Sequence, residues 1–517
     1  MAAFRMACHA ACCVLIMTAA AGCSEHVPGD GTEAGGPALV ASAEYEALEL
    51  APGYRIEKVA DTLTYLTGIT FDDEGTVYVL EAGGAYMEAP PPARIIRLED
   101  GGVVEAVDLE GKGVAAPVVG LAWHDGAFYI SHRDPETMMG AVSRVSPAGV
   151  VTRVLSGVRD AQSAHFLNEL RVGPDGMLYL GSGQATNAGV VGPDLSPFIE
   201  QNSDLRPVPC QDLVLTGMNY VTPDFRSDDP ADSAVTGAFV PFGTATEPGR
   251  RIEGDPRTCG GSILRFDPRD AEGTVRAFAW GFRQPIGFAW DSRNAMFVTV
   301  NGTNVEGSRP IADEYDPTYR VREGQWYGHP DFSAALIQLD DARFSAPAAE
   351  RARRLRGAAA VPDSLPPRLL IDHAASGLTA PDTSLVAALH DVNSSPSGID
   401  VAPAVFGFGD HLFVAEWGDY GSLTSPGREA PAGSQIVRID PETREVVPFV
   451  RNRAGGPASG AGAAGQGMER PFNLRFAPDG SLYIVDYGVV RFDPANEESP
   501  VQFPPRTGAV WRVTRAH

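Results

Sequence analysis

Residues Gln162 to Gln184 read QSAHFLNELRVGPDGMLYLGSGQ, and this stretch decides the fold. Leu170-Arg171-Val172 and Met177-Leu178-Tyr179-Leu180 are apolar runs, and Gly173-Pro174-Asp175-Gly176 between them has the composition of a tight reversal. The stretch reads as a β-hairpin with a histidine, His165, just ahead of its first strand.

Five further copies of the pattern flank it: GITFDDEGTVYVLE from Gly68, VGLAWHDGAFYISH from Val119, IGFAWDSRNAMFVTVN from Ile286, GIDVAPAVFGFGDHLFVAE from Gly398 and NLRFAPDGSLYIVD from Asn473. Each second strand centres on an aromatic: Tyr78, Tyr129, Tyr179, Phe297, Phe413 or Tyr483. A strand with an arginine between apolar residues trails each hairpin, at Arg97, Arg144, Arg265, Arg320, Arg438 and Arg512, and these are expected to bridge neighbouring sheets. A unit that cannot bury both faces alone, repeated six times, predicts an all-β, six-bladed β-propeller over residues 45–517. The uneven spacing predicts two long insertions, about 186–258 and 332–396, the second with a helical pattern at Ala348 to Arg356. Tyr54 to Val59 is expected to pair with Gly508 to Thr514 and close the ring.

A net charge of −25 argues against a nucleic-acid or anionic-membrane face. Lys58 and Lys112 are the only lysines, so cationic chemistry falls to arginine. Residues 1–22 read as a targeting segment, with Arg5 in a basic start and a mostly apolar run from Ala11 to Ala20. Ala20-Ala21-Gly22-Cys23 resembles the lipobox of bacterial lipoproteins, which implies cleavage before Cys23, acylation of its thiol and lipid anchoring in the cell envelope. Residues 23–44 would then be a flexible tether. Of six cysteines only Cys210 and Cys259 remain after Cys8, Cys12, Cys13 and Cys23, and an exported chain is expected to join them as a disulfide.

In a propeller the start of each innermost strand and the end of the next strand lie at one rim of the central channel. That rule sends His165, Arg283, Gln284, Glu469 and Arg470 to one mouth, together with Glu81, His132, Arg133, Gln184, Asn301, Glu416 and Asp486.

Several motifs fit one known family. His165 followed by Gly173-Pro174-Asp175, then GFRQPIG from Gly281, Asp313-Glu314 and GQWYGHP from Gly324 resemble the soluble glucose/sorbosone dehydrogenases. The resemblance implies a six-bladed propeller that binds pyrroloquinoline quinone (PQQ) over calcium and oxidises a sugar or other alcohol, passing electrons to a separate acceptor. On this sequence it makes His165 the general base, Arg283, Gln284 and Arg470 cofactor contacts, and Asn301 with Gly302 the calcium site. The chain departs from the family pattern at Ala164, where glucose oxidisers carry an aspartate, and at Ile286, where a glutamine is expected. It departs again around Trp417, which lacks a cofactor-binding lysine, and at Phe472, which replaces a second arginine.

Two other functions compete on sequence grounds. One is a tethered, non-enzymatic ligand-binding propeller whose insertions form the recognition face. The other is a calcium-dependent, lactonase-like hydrolase with an axial site built from Glu81, Asn301, Glu416 and Asp486.

Overall fold

A computed structural model of the chain describes residues 38–84, 91–99, 102–312, 314–346, 368–419, 431–492 and 501–516. The six expected hairpins are all present, each as the inner half of an antiparallel sheet. Blade one comprises Leu66–Phe71, Val77–Glu81, Arg94–Glu99 and Gly102–Asp108. Blade two comprises Leu121–His124, Ala127–Arg133, Gly140–Val145 and Val151–Val158. Blade three has Leu167–Val172 and Leu178–Ser182 inside, with Ser262–Phe266 and Arg276–Trp280 outside. Blade four has Gln284–Trp290 and Met296–Asn301 inside, with Asp316–Val321 and Val386–His390 outside.

The last two blades hold the ring closed. Blade five runs Pro396–Val401, Leu412–Glu416, Gln435–Asp440 and Glu445–Asn452, and the N-terminal Leu48–Leu50 and Val40–Ala41 extend its outer edge. Blade six takes Pro471–Phe476, Leu482–Asp486 and Gly508–Arg515, and its outermost strand is Tyr54–Leu63 from the other end of the chain. The expected closure is therefore observed, with Ile56 opposite Val513 and Lys58 opposite Trp511. Pairing the two ends in one sheet makes every blade depend on its neighbours.

Apolar faces pack blade against blade. Tyr179, Phe288, Met296 and Val298 fill the space between blades three and four, and Phe413, Phe449, Leu474 and Trp511 that between five and six. Each such buried side chain contributes about 1.5–3 kcal/mol. Arg265 bridges as expected, reaching Glu323 after the blade-four strand Asp316–Val321 at 3.4 Å, and all six arginines share a second arrangement. Each stands directly across from the aromatic of its own hairpin: Arg97 opposite Tyr78, Arg144 opposite Tyr129, Arg265 opposite Tyr179, Arg320 opposite Phe297, Arg438 opposite Phe413 and Arg512 opposite Tyr483. The two marks of the repeat are thus one cross-strand pair, and in blade four the Arg320 guanidinium lies 5.3 Å from the Phe297 ring centre.

The first insertion is folded. It carries the short helix Ser196–Gln201 and a hairpin of Asn219–Pro223 with Ser233–Gly237, and the Cys210–Cys259 disulfide pins its base. The second insertion is shorter than its expected span, because Val386–His390 within 332–396 is the outer strand of blade four. Its alternation was masked by the alanines in VAALH, which give a weak apolar pattern. The helical pattern at 348–356 lies outside the described residues, as do Cys23 and the targeting segment. The two insertions share one core, in which Leu213, Leu215 and Phe239 meet Trp326, Phe332 and Leu370, so they form a single lobe beside the mouth.

Candidate functional site

The strand registers bear out the rim rule: Leu66 faces Glu81, Leu167 faces Ser182, Gln284 faces Asn301, Pro396 faces Glu416 and Pro471 faces Asp486. His165 sits in the lead-in to blade three, two residues ahead of Leu167. Gly183 runs so close to it that a β-carbon there would lie 2.6 Å from the His165 Cβ, so only glycine allows the approach. His165 Nδ1 lies 2.7 Å from the Gln184 carbonyl oxygen, which makes Nδ1–H the donor and leaves Nε2 as the acceptor. Burial and the nearby Arg283 cation push this imidazole down to about 3, so it is neutral throughout the physiological range.

Gln184 joins two histidines. Its carbonyl takes His165, and its side-chain Oε1 lies 3.0 Å from Nε2 of His329, from the GQWYGHP motif. Its own N–H donates to the Arg283 carbonyl, tying blade three to blade four. Burial and the Arg283 charge also hold His329 well below the usual histidine range. Sequence reasoning placed Gln184 at the rim without a role and quoted His329 only as part of a motif. The polar residues that flank the two histidines gave no local signal.

Arg283 is buried and donates from Nε to Asn187 Oδ1 at 2.9 Å and from a terminal nitrogen to Glu306 at 2.9 Å. Asn187 belongs to the first insertion, so the lobe helps fix the arginine. Arg470 donates to the carbonyls of Trp417 and Asp419, and its guanidinium lies 5.9 Å from the Trp417 ring centre. Gln284 opens the innermost strand of blade four opposite Asn301. A small cleft of about 30 Å³ is lined by Arg283, Asn301, Gly302, Glu314 and His329. Burial raises the Glu314 carboxyl to about 7. Asp313 of the same motif lies outside the described residues.

Beneath His165, Asp160 holds the frame. Its carboxylate accepts the N–H of Ala185 at 2.7 Å and that of Val208 at 3.0 Å. Gly260 packs against the same group, next to the disulfide. One carboxylate thus joins the segment bearing Gln184 to both ends of the Cys210–Cys259 loop.

The alternative axial site is not formed. Glu81 accepts the Thr64 N–H and pairs with Arg94 at 2.5 Å, while Glu416 contacts His390 and Gln435, each at 2.8 Å. Asp486 accepts the N–H groups of Glu469, Arg470 and Gly488. Glu81 and Asp486 hold loops of their own blades, Glu416 also ties blade five to His390 of blade four, and among the described residues no three acidic, histidine or cysteine side chains converge as a metal site. The channel is instead crossed by polar pairs that sequence reasoning missed: Glu169 with Arg475, and Arg171 with Asp400 at 2.5 Å.

Comparison with known proteins agrees with the fold. Residues 41–208 match a family model described as a domain of unknown function (DUF7133). No curated protein matches the chain. Among solved structures, the holo PQQ domain of pyranose dehydrogenase from Coprinopsis cinerea is 14% identical with a TM-score of 0.51, covering 93% of this chain and 99% of its own. A carbohydrate-active enzyme of family AA12 from Trichoderma reesei is 15% identical with a TM-score of 0.51, covering 92% of this chain and 99% of its own. At these identities the likeness establishes the class of fold, a six-bladed β-propeller of the kind seen in PQQ-dependent sugar dehydrogenases.

Proposed function

We propose that the chain is a quinoprotein-like dehydrogenase that oxidises a hydroxyl group of a small sugar or alcohol at the propeller mouth. The observation that carries this reading is His165, a neutral imidazole whose Nδ1 is committed to Gln184 and whose Nε2 makes no hydrogen bond among the described residues. An acceptor nitrogen held in one orientation and open at Nε2 has the geometry for removing a hydroxyl proton.

The residues present fit a quinone over calcium at its reactive edge. The Asn301 Oδ1 is buried without a hydrogen-bond partner, as a hard-oxygen ligand awaiting a cation would be, and Gly302 follows it with its N–H held by Asp316 at 2.6 Å. Arg283 supplies positive charge there, and its partner Glu306 keeps one-third of its side chain exposed, free to turn away when another anion takes its place. Gln284 and Arg470 would complete the contacts on either side. When bound, the quinone supplies the two-electron acceptor chemistry. Nε2 of His165 takes the substrate hydroxyl proton, the Gln184 carbonyl keeps the ring from turning, and Arg283 offsets negative charge forming beside it.

Electrons then pass to a separate acceptor. We place the protein in the cell envelope, anchored through acylated Cys23; the Cys210–Cys259 disulfide, characteristic of oxidising compartments, supports export. The test is dye reduction by protein reconstituted with calcium and PQQ across a panel of sugars and alcohols. Turnover is expected to fall by about two to four orders of magnitude in His165→Ala. Full activity in that variant would remove His165 from the mechanism.

A further inference from the structure

Gln184 is 5% exposed, yet one of its polar groups is unused. Its main-chain N–H donates to the Arg283 carbonyl at 2.8 Å, and its main-chain carbonyl accepts Nδ1–H of His165 at 2.7 Å. The side-chain oxygen accepts twice. His329 Nε2 lies 3.0 Å from Oε1, and Thr186 Oγ1 donates to the same atom at 3.0 Å. Thr186 Oγ1 itself accepts the Gly189 N–H at 2.9 Å, which leaves its single proton for Gln184. Two donors converging on one atom identify it as the amide oxygen and fix the plane of the group.

The amide nitrogen is left over. Nε2 of Gln184 carries two N–H donors, makes no hydrogen bond among the described residues and is not sealed from solvent. A donor that stays open on a side chain this buried is presented to whatever enters the mouth. Close by is the open Nε2 of His165, an acceptor. Donor and acceptor belong to one frame, because the main chain of Gln184 orients the imidazole and its side chain carries the amide. The length of that side chain separates them, so the amide reaches past the hydroxyl at His165 to the substituent beside it.

We infer that the Gln184 amide donates a hydrogen bond to a substrate oxygen next to the hydroxyl that His165 deprotonates. The inference rests on the proposed dehydrogenase reading and deepens it by naming the substrate class. That substrate carries a second oxygen on the carbon adjoining the reacting one, as a vicinal diol does, whereas a monohydric alcohol leaves the amide unpaired. Thr186 and Gly189, at the start of the first insertion, set the amide and so share in this selection.

Binding is read apart from turnover. Anaerobic protein loaded with calcium and reduced PQQ, and labelled with nitrogen-15 glutamine, is titrated with trans-cyclohexane-1,2-diol and, separately, with cyclohexanol. The Gln184 side-chain amide signals, assigned by their loss in Gln184→Glu, are expected to shift with the diol and to stay in place with cyclohexanol. Glutamate keeps an oxygen for His329 and Thr186 but replaces the donor, and thermal unfolding checks that the variant is folded. In turnover with oxidised PQQ, the diol should exceed cyclohexanol in kcat/KM by about one hundredfold, and Gln184→Glu should bring the ratio to within about threefold of unity. If the diol is oxidised without moving the amide signals, or the variant keeps the preference, the donor role is overturned and the proposed function stands. Equal shifts with both compounds overturn the requirement for a second oxygen. If no sugar, diol or alcohol moves the signals or is oxidised, the dehydrogenase reading falls and takes the donor role with it.

Discussion

At the scale of single residues, His165 is the pivot, and its chemistry follows from burial more than from identity. A free histidine titrates near 6.5, whereas this one is pushed down to about 3. Its folded value lies below its unfolded value, so the stabilisation from keeping it neutral is present above about pH 6.5 and is lost as pH falls towards 3. Its imidazole carbon-bound proton resonances should therefore stay flat between about pH 4.5 and 8 in NMR titration; an inflection near 6.5 would contradict the buried, neutral state. The sequence placed His165 at the rim because a hairpin follows it, but nothing near it announced the Gln184 carbonyl or Asp160, which act through folded proximity. Asp160→Ala leaves two buried N–H groups without their acceptor and should cost about 2–5 kcal/mol in denaturant unfolding, with displaced His165 resonances. Unchanged resonances would show that Asp160 does not position the histidine.

At the scale of elements, the repeat was legible because period-two alternation, a turn and an aromatic recur together, and all six hairpins follow from that. The pairing of each aromatic with its arginine was hidden, since sequence records the two as marks fifteen to eighty-six residues apart and only the sheet register sets them opposite. The insertions were legible as excess length, while their common core was not, because it joins segments more than one hundred residues apart, as in the Thr216 N–H to Leu370 carbonyl bond. The disulfide closes a loop with a sequence separation of 49 and constrains the unfolded chain by about 4 kcal/mol in the chain-entropy model. Replacing both Cys210 and Cys259 by serine should lower stability by up to that amount. Thiol counting on denatured, unreduced protein should find neither cysteine free, and two free thiols would refute the bond.

For the whole molecule, closure of the ring through Tyr54–Leu63 and Gly508–Arg515 couples the chain ends to the site. Removing residues 508–517 should abolish a single cooperative unfolding transition, because blade six would lose its third strand and the partner of its fourth; a native-like melt would show that the blades stand independently. The central claim is that this mouth oxidises a hydroxyl group with His165 as base. Its most direct measurement is an anaerobic single turnover, in which protein loaded with calcium and PQQ is mixed with excess substrate, without dye, and the quinone absorbance is followed. The account predicts conversion to the reduced spectrum in the wild type and a rate lower by about two to four orders of magnitude in His165→Ala. An unchanged spectrum across a panel of sugars and alcohols, or equal rates in the two proteins, would contradict it.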